Sequence, residues 1–382
     1  MMMKISRYIY HNEEWNLPFD SNMNSEQTLV LVFADSHVES YETFNKIKQS
    51  FPDSMIVGCS GAGCITPLGI LDMSILVTVI KFASTELKKT TLPVNYKSSF
   101  ETGKSLITEL IKKDHLKSVL LFGEGMDISG AELAKGINSV LNKNNLVIPI
   151  SGGLAGNTKT LGETYIIDGV EKLSKSVVAI GLYGDAIQVI TNTGGGWDAF
   201  GPKRKITKAK DSTVYELDNK PALEVYKKYL KNEAVNLPYS GLFFPLSIKH
   251  HGSENVVRSL VSMDEKENSL TFLGSVEQGS IVQVMYSNLL MLISGAKKAY
   301  IDCIPQHDHN QESLVIAISC VGRRMVMGQK TEDEIEAIKD LMPKKSTLSG
   351  YYSYGEFAPT QNSNCELHNQ TMTLAIIQEK SL

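Results

Sequence analysis

The pattern of apolar and polar positions in the first half of the chain occurs twice in the same order. The stretches LVLVFADSHVESYETFNKIKQSFPDSMIVGCSGAG and SVLLFGEGMDISGAELAKGINSVLNKNNLVIPISGGLAG each predict a buried strand, an acidic loop, an amphipathic helix, a second strand and a glycine-rich turn. In this alignment Phe33 lies over Phe122, and Ser60 lies over Ser151. Apolar strands, SILVTVIKF and SVVAIGLYG, follow both turns. The pattern therefore predicts two related units of the βαβ type.

The second half of the chain has a different pattern. Short strands such as FFPLSIKH, NVVRSLVSM and SIVQVMYS alternate with polar or glycine-containing turns and with helices. We predict an α/β fold of mixed α+β character, in which mixed sheets are flanked by helices. Its parts are an N-terminal segment (1–24), an N-terminal domain (25–217) that contains the two copies (29–95 and 118–195), and a C-terminal α+β domain (218–382).

Composition and charge narrow the classes of function. Of the 382 residues, 42% are hydrophobic and 21% are charged, which is typical of a globular protein. The net charge is −4 and both signs of charge alternate along the chain, so we expect no nucleic-acid partner. No apolar run reaches the roughly 20 residues that span a bilayer, and we expect a cytoplasmic protein without membrane insertion. The cysteines form no CxxC pair and are expected to be reduced thiols: Cys59, Cys64, Cys303, Cys320 and Cys365.

The glycine-rich turns raise the question of catalysis. Ser60 and Gly61 recur as Ser151 and Gly152, whereas Cys59 does not recur. A shared backbone requirement explains this better than two copies of one catalytic site. A phosphate-binding loop would need a Lys-Ser/Thr pair, and a nucleophile elbow would need a final glycine where this chain has alanine. Ligand contact through the turn amides stays open, as does a hydrolase with Ser60 or Cys59 as its nucleophile.

Seven motifs in sequence order resemble the FIST (F-box and intracellular signal transduction) family: VGCSGAG, SGGLAGN, GGGWDAFGP, NKPALEVY, SCVGR, GYYSYGEFAP and CELHNQTMTL. The resemblance implies a sensory protein that binds a small ligand, with amino acids as the proposed ligand class. It implies no enzymatic activity. It also implies a signalling partner in trans, such as a histidine kinase, and a homodimer is possible. A bacterial subgroup of the family resembles haem-binding nitric-oxide sensors, so haem is an alternative ligand.

An amino-acid ligand needs a cation for its carboxylate and an acceptor for its ammonium group. Arg323 and Glu356 are the best such pair in the sequence, and Arg258 is a second cation; a structural ion pair is the alternative interpretation. A cleft between domains is the expected place for the site. The remaining expected ligand contacts are Ser60, Gly61, Ser151, Gly152, Asn157, Cys320, His368 and Asn369.

Histidine and cysteine side chains suggest two further kinds of chemistry. If haem binds, His368, His250 or His251 would be its axial ligand; the absence of CxxCH excludes only covalent attachment. A hydrogen-bonded structural histidine is the alternative for each. Cys320 precedes an arginine, which would lower its pKa, but it follows an apolar strand, and burial would raise its pKa. We expect burial to dominate.

Overall fold

The computed structural model describes residues 2–38, 41–158, 162–249, 255–360 and 362–380. The strands in these ranges are β1 (Lys4–His11), β2 (Glu14–Trp15), β3 (Thr28–Asp35), β4 (Met55–Gly61), β5 (Cys64–Thr66), β6 (Gly69–Leu71), β7 (Ile75–Lys81), β8 (Glu86–Pro93), β9 (Leu116–Gly123), β10 (Ile150–Leu154), β11 (Ile166–Asp168), β12 (Glu171–Leu173), β13 (Ser176–Tyr183), β14 (Ile187–Gly194), β15 (Asp198–Lys210), β16 (Thr213–Leu217), β17 (Lys220–Pro221), β18 (Leu246–Lys249), β19 (Asn255–Arg258), β20 (Leu260–Asp264), β21 (Ser269–Phe272), β22 (Ile281–Tyr286), β23 (Ser313–Cys320), β24 (Ser346–Ser353), β25 (Glu356–Pro359), β26 (Cys365–His368) and β27 (Met372–Glu379). The helices are α1 (Tyr41–Ser50), α2 (Ser99–Leu110), α3 (Gly130–Lys143), α4 (Ala222–Leu230), α5 (Leu289–Ile301), α6 (Val321–Met327) and α7 (Glu332–Lys339). Helices and mixed sheets alternate along the chain, which confirms the predicted fold class.

Within the described ranges the strands form four sheets. Sheet 1 has the order β12-β11-β4-β3-β7-β1-β2, sheet 2 has β26-β25-β10-β9-β13-β8, and sheet 3 has β6-β5-β24-β23-β27-β14. Strands β15 to β22 form the fourth sheet. We call sheets 1 to 3 with their helices the body, and the fourth sheet with α4 the barrel.

One structural unit recurs in each sheet of the body. It consists of two parallel strands followed by a strand antiparallel to the first: β3, β4 and β7; β9, β10 and β13; β23, β24 and β27. An edge strand that precedes the unit in the chain pairs with its last strand: β1, β8 and β14, respectively. The body is therefore a threefold repeat, of which the sequence pattern predicts only the first two copies.

Hairpins exchanged between the units tie the three sheets together. The hairpin β5-β6 follows the first unit's parallel pair but adds to β24 of sheet 3. In the same way, the hairpin β11-β12 follows the second unit's parallel pair and adds to β4 of sheet 1. The hairpin β25-β26 follows the third unit's parallel pair and adds to β10 of sheet 2. Each sheet is completed by the next unit in a closed cycle, so the three units fold as one body rather than as separable domains.

Apolar side chains fill the centre of the body. Phe33, Phe122 and Tyr351 come one from each unit and are fully buried, with ring centroids 4.7 to 6.3 Å apart. Cys59 and Ile318 belong to the same cluster. The place where the three units meet is thus packed with apolar side chains.

Three glycines permit this close packing of strands. Gly58, Gly152 and Gly350 occupy the same place in the second parallel strand of each unit. A Cβ at any of them would lie 1.8 Å from a carbonyl oxygen of the neighbouring parallel strand. Each position therefore requires glycine because backbones approach closely there.

The strand register corrects the alignment of the two predicted copies. With Phe33 over Phe122, the pairing of β3 with β4 and of β9 with β10 places Gly152 over Gly58, not over Gly61. The copies are related as predicted, but their second strands are shifted by several residues from the sequence alignment. The recurring Ser-Gly dipeptide does not mark one structural position.

The barrel is inserted into the third unit, between β14 and α5. Its strand order is β19-β18-β22-β15-β16-β21-β20, with β17 beside β16. Because Ser259 alone joins β19 to β20, the two ends of the sheet meet and the sheet closes on itself. Helix α4 packs on it, and the apolar cluster inside contains residues 206–284 only.

This insertion differs from the predicted division into domains. The boundary predicted at residue 218 falls between β16 and β17, which pair with each other inside the barrel. The predicted C-terminal domain supplies most of the barrel, two strands of sheet 2 and most of the third unit, whereas β15 and β16 of the barrel come from the predicted N-terminal domain. The structural division is therefore between body and barrel, and the chain enters and leaves the barrel within the third unit.

Candidate functional site

The two glycine-rich stretches were predicted to be turns, but Ser60 lies in β4 and Ser151 lies in β10. Both serines have hydrogen-bonding partners within the protein. The Ser60 hydroxyl donates to the Gly156 carbonyl at 3.0 Å and accepts from the Tyr165 amide at 3.2 Å. The Ser151 hydroxyl bonds the Thr191 hydroxyl. Both serines are fully buried. Their polar groups join neighbouring parts of the body, as a structural role requires.

Asn157 and Gly61 also have structural contacts. The Asn157 amide nitrogen donates to the Glu163 carbonyl at 2.7 Å, and its oxygen lies 3.1 Å from His37 Nε2. A Cβ at Gly61 would lie 2.8 Å from the Cβ of Tyr351. The Asn157 side chain thus hydrogen-bonds neighbouring groups of the protein, and close packing at Gly61, as at Gly152, leaves no room for a larger side chain.

The geometry gives no support to a nucleophile in this region. The Cys59 side chain is fully buried, and burial raises its pKa far above the ordinary thiol value. The Ser60 hydroxyl is equally inaccessible and hydrogen-bonds backbone groups. An activated serine would instead need a hydrogen-bonded general base.

Arg323 is fully buried, and all five of its N–H donors are used by the protein. Nε and Nη2 donate to the Glu334 carboxylate, at 3.1 and 2.7 Å. Nη2 also donates to the Leu292 carbonyl, and Nη1 donates to the carbonyls of Gly195 and Gln370. The structural ion pair, which the sequence left as the alternative, is what the structure shows. Its partner is Glu334 and not Glu356.

Glu356 and Cys320 both hold Thr371. The Glu356 carboxylate accepts from the Thr371 hydroxyl at 2.8 Å and from Ser353, and the Cys320 amide donates to the Thr371 carbonyl at 3.0 Å. Burial raises the pKa of Glu356 to about 8, although these hydrogen bonds and the charge of Arg323 act in the opposite direction. Burial also raises the pKa of Cys320, as expected.

Arg258 connects the barrel to the body. It lies at the end of β19 and is 1% exposed. Its Nη1 donates to the Leu367 carbonyl at 2.7 Å, and its Nη2 donates to the Glu366 carboxylate at 3.1 Å. Both partners lie in β26, the edge strand of sheet 2. A charged side chain of the barrel is thus buried against the edge of the body.

Unpartnered polar atoms are concentrated at this junction. Twelve buried side-chain nitrogen or oxygen atoms lack a hydrogen-bond partner in the part of the chain that the structure describes, and half of them lie in two short stretches here. These six atoms are Arg258 Nε, Ser259 Oγ, His368 Nε2, Asn369 Nδ2, Asn369 Oδ1 and Gln370 Oε1. A buried polar atom without a partner costs about 1–3 kcal/mol. Such a concentration points to a missing partner at this place.

The side chains of residues 366–371, which we call the tail, face two directions. Gln370 reaches the barrel, because its amide nitrogen donates to the Leu242 carbonyl at 3.3 Å. The Asn369 amide lies toward the body, since a Cβ on Gly355 would lie 3.4 Å from its nitrogen. The groups that face the barrel are therefore those of His368, Gln370 and Glu366. We call these three residues with Arg258 the junction site.

His368 is neutral at physiological pH. Burial lowers its pKa to about 4, Arg258 adds to this effect, and Glu366 acts in the opposite direction. A neutral imidazole with a free Nε2 suits an axial haem ligand. However, the face of β26 that carries His368 also carries the Glu366–Arg258 ion pair, and a haem requires apolar walls. These surroundings do not fit haem, and His250 and His251 lie outside the described residues.

Three residues at the junction were missed by the sequence reasoning: Glu366, Gln370 and Trp197. The Gln370 backbone has a φ of 60°, which is uncommon for a residue other than glycine. Its carbonyl accepts from Trp197 Nε1 at 2.9 Å and from Arg323. All three residues belong to motifs already noted, GGGWDAFGP and CELHNQTMTL, but nothing local in the sequence indicates that these motifs meet.

The comparisons with known proteins agree with these features. A family model of the FIST N domain matches residues 28–220, and a model of the FIST C domain matches residues 222–359; both describe sensor domains of signal transduction. The chain belongs to the FIST family, as the motifs predicted. A 240-residue stretch is 22% identical to an uncharacterized protein of Methanocaldococcus jannaschii. That match covers 55% of this chain and 45% of the relative, so the chain spans about half the length of that protein.

Membrane-spanning helices and clustered metal ligands are both absent from the described residues. No helix in the described ranges is both long and apolar enough to cross a bilayer. Among the same residues, no group of three or more His, Cys, Asp and Glu side chains lies close enough to hold a metal ion. Neither finding identifies a cofactor, and the junction site is the candidate that the geometry favours.

Proposed function

We propose that this protein is a cytoplasmic sensor of the FIST type that binds a small zwitterionic molecule, such as an amino acid, at the junction site. The observation that carries the proposal is the set of buried polar atoms without partners at this one place. Leaving them unsatisfied is costly, and a ligand bound at the junction site would satisfy those of Arg258, His368 and Gln370.

The groups of the junction site match the chemistry of a zwitterion. Arg258 and its unpartnered Nε provide a cation for a carboxylate. The Gln370 Oε1 accepts hydrogen bonds, and the Glu366 carboxylate supplies the negative charge that an ammonium group needs. His368, neutral and with a free Nε2, adds a group that donates or accepts according to its tautomer. A ligand with one charge of each sign therefore finds a partner for both.

The signal would pass to a separate protein. Sensor domains of this family transduce signals, and we propose a histidine kinase or another signalling protein in trans as the receiver. A homodimer is compatible with this arrangement. Haem is the weaker ligand candidate, because the charged neighbours of His368 are poor walls for it.

The test is a thermal-shift screen of the purified protein with the standard amino acids, each followed by calorimetric titration. A ligand at a hundred times its Kd stabilises the protein by about 2.7 kcal/mol, which raises the Tm measurably. If no amino acid raises the Tm, the ligand class is wrong. A hemin titration followed at the Soret band decides the haem alternative separately.

A charge-removing variant tests the site itself. Glu366→Gln keeps the size of the side chain and an oxygen for Arg258 but removes the charge for the ammonium group. We expect a 10- to 100-fold loss of amino-acid affinity, since a charge-assisted hydrogen bond contributes about 1.5–3 kcal/mol. Glu265→Gln, in an exposed ion pair with Lys227, is the matched control and should bind normally. Equal affinity in both variants would place the ligand elsewhere.

A further inference from the structure

In the described residues, the barrel and the body share no apolar core. The apolar cluster of the barrel runs from Ile206 to Val284, and the clusters of the body, in the described residues, contain no member between 195 and 288. Interfaces between parts of one chain that lack a large apolar contact commonly allow relative movement. The two parts therefore meet the first condition for rigid-body motion.

The barrel is covalently attached at one side only. The chain enters it at Asp198 and leaves it at Tyr286, and these two residues are paired with each other. The entering segment is fixed to the body: Gly196 packs on Met291, and Trp197 donates to a carbonyl of the tail. Movement would thus pivot at the paired residues rather than within the glycine segment.

Away from this pivot, the described contacts between barrel and body include several polar ones. Arg258 bonds Glu366 and Leu367 of β26, and Gln370 bonds the Leu242 carbonyl. An exposed ion pair joins Lys135 to Glu277 at 3.1 Å. Three residues of the junction site, Arg258 on the barrel and Glu366 and Gln370 on the body, are therefore among those that hold the barrel against the body.

We propose that the barrel is a hinged module, that the Arg258–Glu366 contact is its latch, and that the ligand controls whether it is docked. This inference rests on the proposed function for the identity of the ligand but not for the hinge. A ligand that bridges Arg258 to the residues of the tail contacts both parts only when they are docked. It therefore binds the docked state more tightly and shifts the population toward it. The position of the barrel is then the signal that a partner reads.

Hydrogen exchange measured by mass spectrometry tests the hinge without any ligand. The short 3-10 helix Tyr239–Phe243 of the barrel packs on α6 of the body, so undocking exposes both. Glu366→Lys places two cations together and should open the latch. We expect amides of residues 239–243 and 321–327 to exchange at least tenfold faster than in the wild type, while those of 313–320 are unchanged. Glu265→Lys, on the barrel surface, should have no effect on any of these segments.

The outcomes separate the two proposals. If Glu366→Lys leaves all segments unchanged, or accelerates 313–320 equally, there is no hinge, whatever the ligand is. For an amino acid that raises the Tm, exchange of the two facing segments in the wild type should slow at least tenfold. A ligand that raises the Tm without this slowing supports the proposed function and overturns ligand control of the barrel. If no amino acid raises the Tm, the proposed function fails, and the variant alone decides the hinge.

Discussion

The glycine-rich stretches and the junction site both carry residues that the sequence marks as candidate ligand contacts, but their polar side chains differ in the structure. In the glycine-rich stretches, the side chains of Ser60 and Asn157 have partners within the body. At the junction, buried polar atoms of His368 and Gln370 have none. Where a segment has a structural role, its polar groups have hydrogen-bond partners within the protein, whereas a binding site leaves some of them for the ligand. The two regions are distinguished by whether their buried polar atoms have partners, and not by residue type.

The largest loss of stability is expected on removal of Arg323, which pairs with Glu334 and also donates to the Gln370 carbonyl at the junction. Arg323→Met removes the partner of a carboxylate that is itself fully buried, and such a change costs about 3–5 kcal/mol. Urea unfolding measures this loss. Lys298→Met, in an exposed pair with Asp302, should cost less than about 1 kcal/mol. If the two variants are equally stable, Arg323 is not the structural hub that its five hydrogen bonds indicate.

The second-largest loss of stability is expected from substitution of the glycines that let the parallel strands of each unit pack closely. Gly58→Ala and Gly350→Ala should each cost about 3 kcal/mol, because the new Cβ would overlap a carbonyl oxygen 1.8 Å away. Gly169→Ala is the control: it has no atom within 4 Å but a φ of 66°, so only about 1 kcal/mol of backbone strain is expected. Unequal costs at the two equivalent positions would argue against the repeat, and the free energy of unfolding decides the matter.

The pH dependence of stability probes Glu356, which holds the tail beside the junction. Its pKa is raised from 4.5 to about 8 in the folded state, so the folded protein binds more protons than the unfolded chain between these values. Stability therefore falls as pH rises from about 4.5 to 8, by at most about 1.4 kcal/mol per pH unit from this one group. Glu356→Gln should remove this contribution, so the stability of the variant relative to that of the wild type should increase as pH rises. A constant difference from pH 5 to 8 would contradict the assignment.

Sequence reasoning finds local patterns and misses those that depend on distant parts of the chain. The first two units are continuous enough to be recognised, but the barrel separates β14 from β23 and hides the third. In that unit Gly350 is followed by Tyr351, so the glycine-rich signature is absent as well. The exchange of hairpins leaves no local mark at all, since each hairpin reads as an ordinary turn between short strands.

For the candidate site too, local features could be predicted from the sequence, and contacts between distant residues could not. Arg258 and His368 were predicted and belong to the junction site, because polar residues beside buried strands stand out in a sequence. Asn369 was also predicted, but its amide lies toward the body. The charge partner of Arg323 could not be predicted, since Glu334 reaches it from a separate helix. Gln370 became visible only through its positive φ and its missing partner.

The smallest expected change in stability compares the glycine-rich stretches with the junction most directly, because removing a polar side chain should destabilise the protein in the first region and not in the second. Ser60→Ala should cost about 1–2 kcal/mol, since it leaves the Tyr165 amide and the Gly156 carbonyl without that partner. Asn369→Leu keeps a similar volume and removes two buried polar atoms that have no partner, so it should be neutral or slightly stabilising. Urea unfolding without ligand compares them. A loss of stability in Ser60→Ala with none in Asn369→Leu would show that the protein itself satisfies the polar groups of the first region and not those of the second. If Asn369→Leu instead destabilises as much as Ser60→Ala, the Asn369 amide has partners within the protein, and the two regions do not differ.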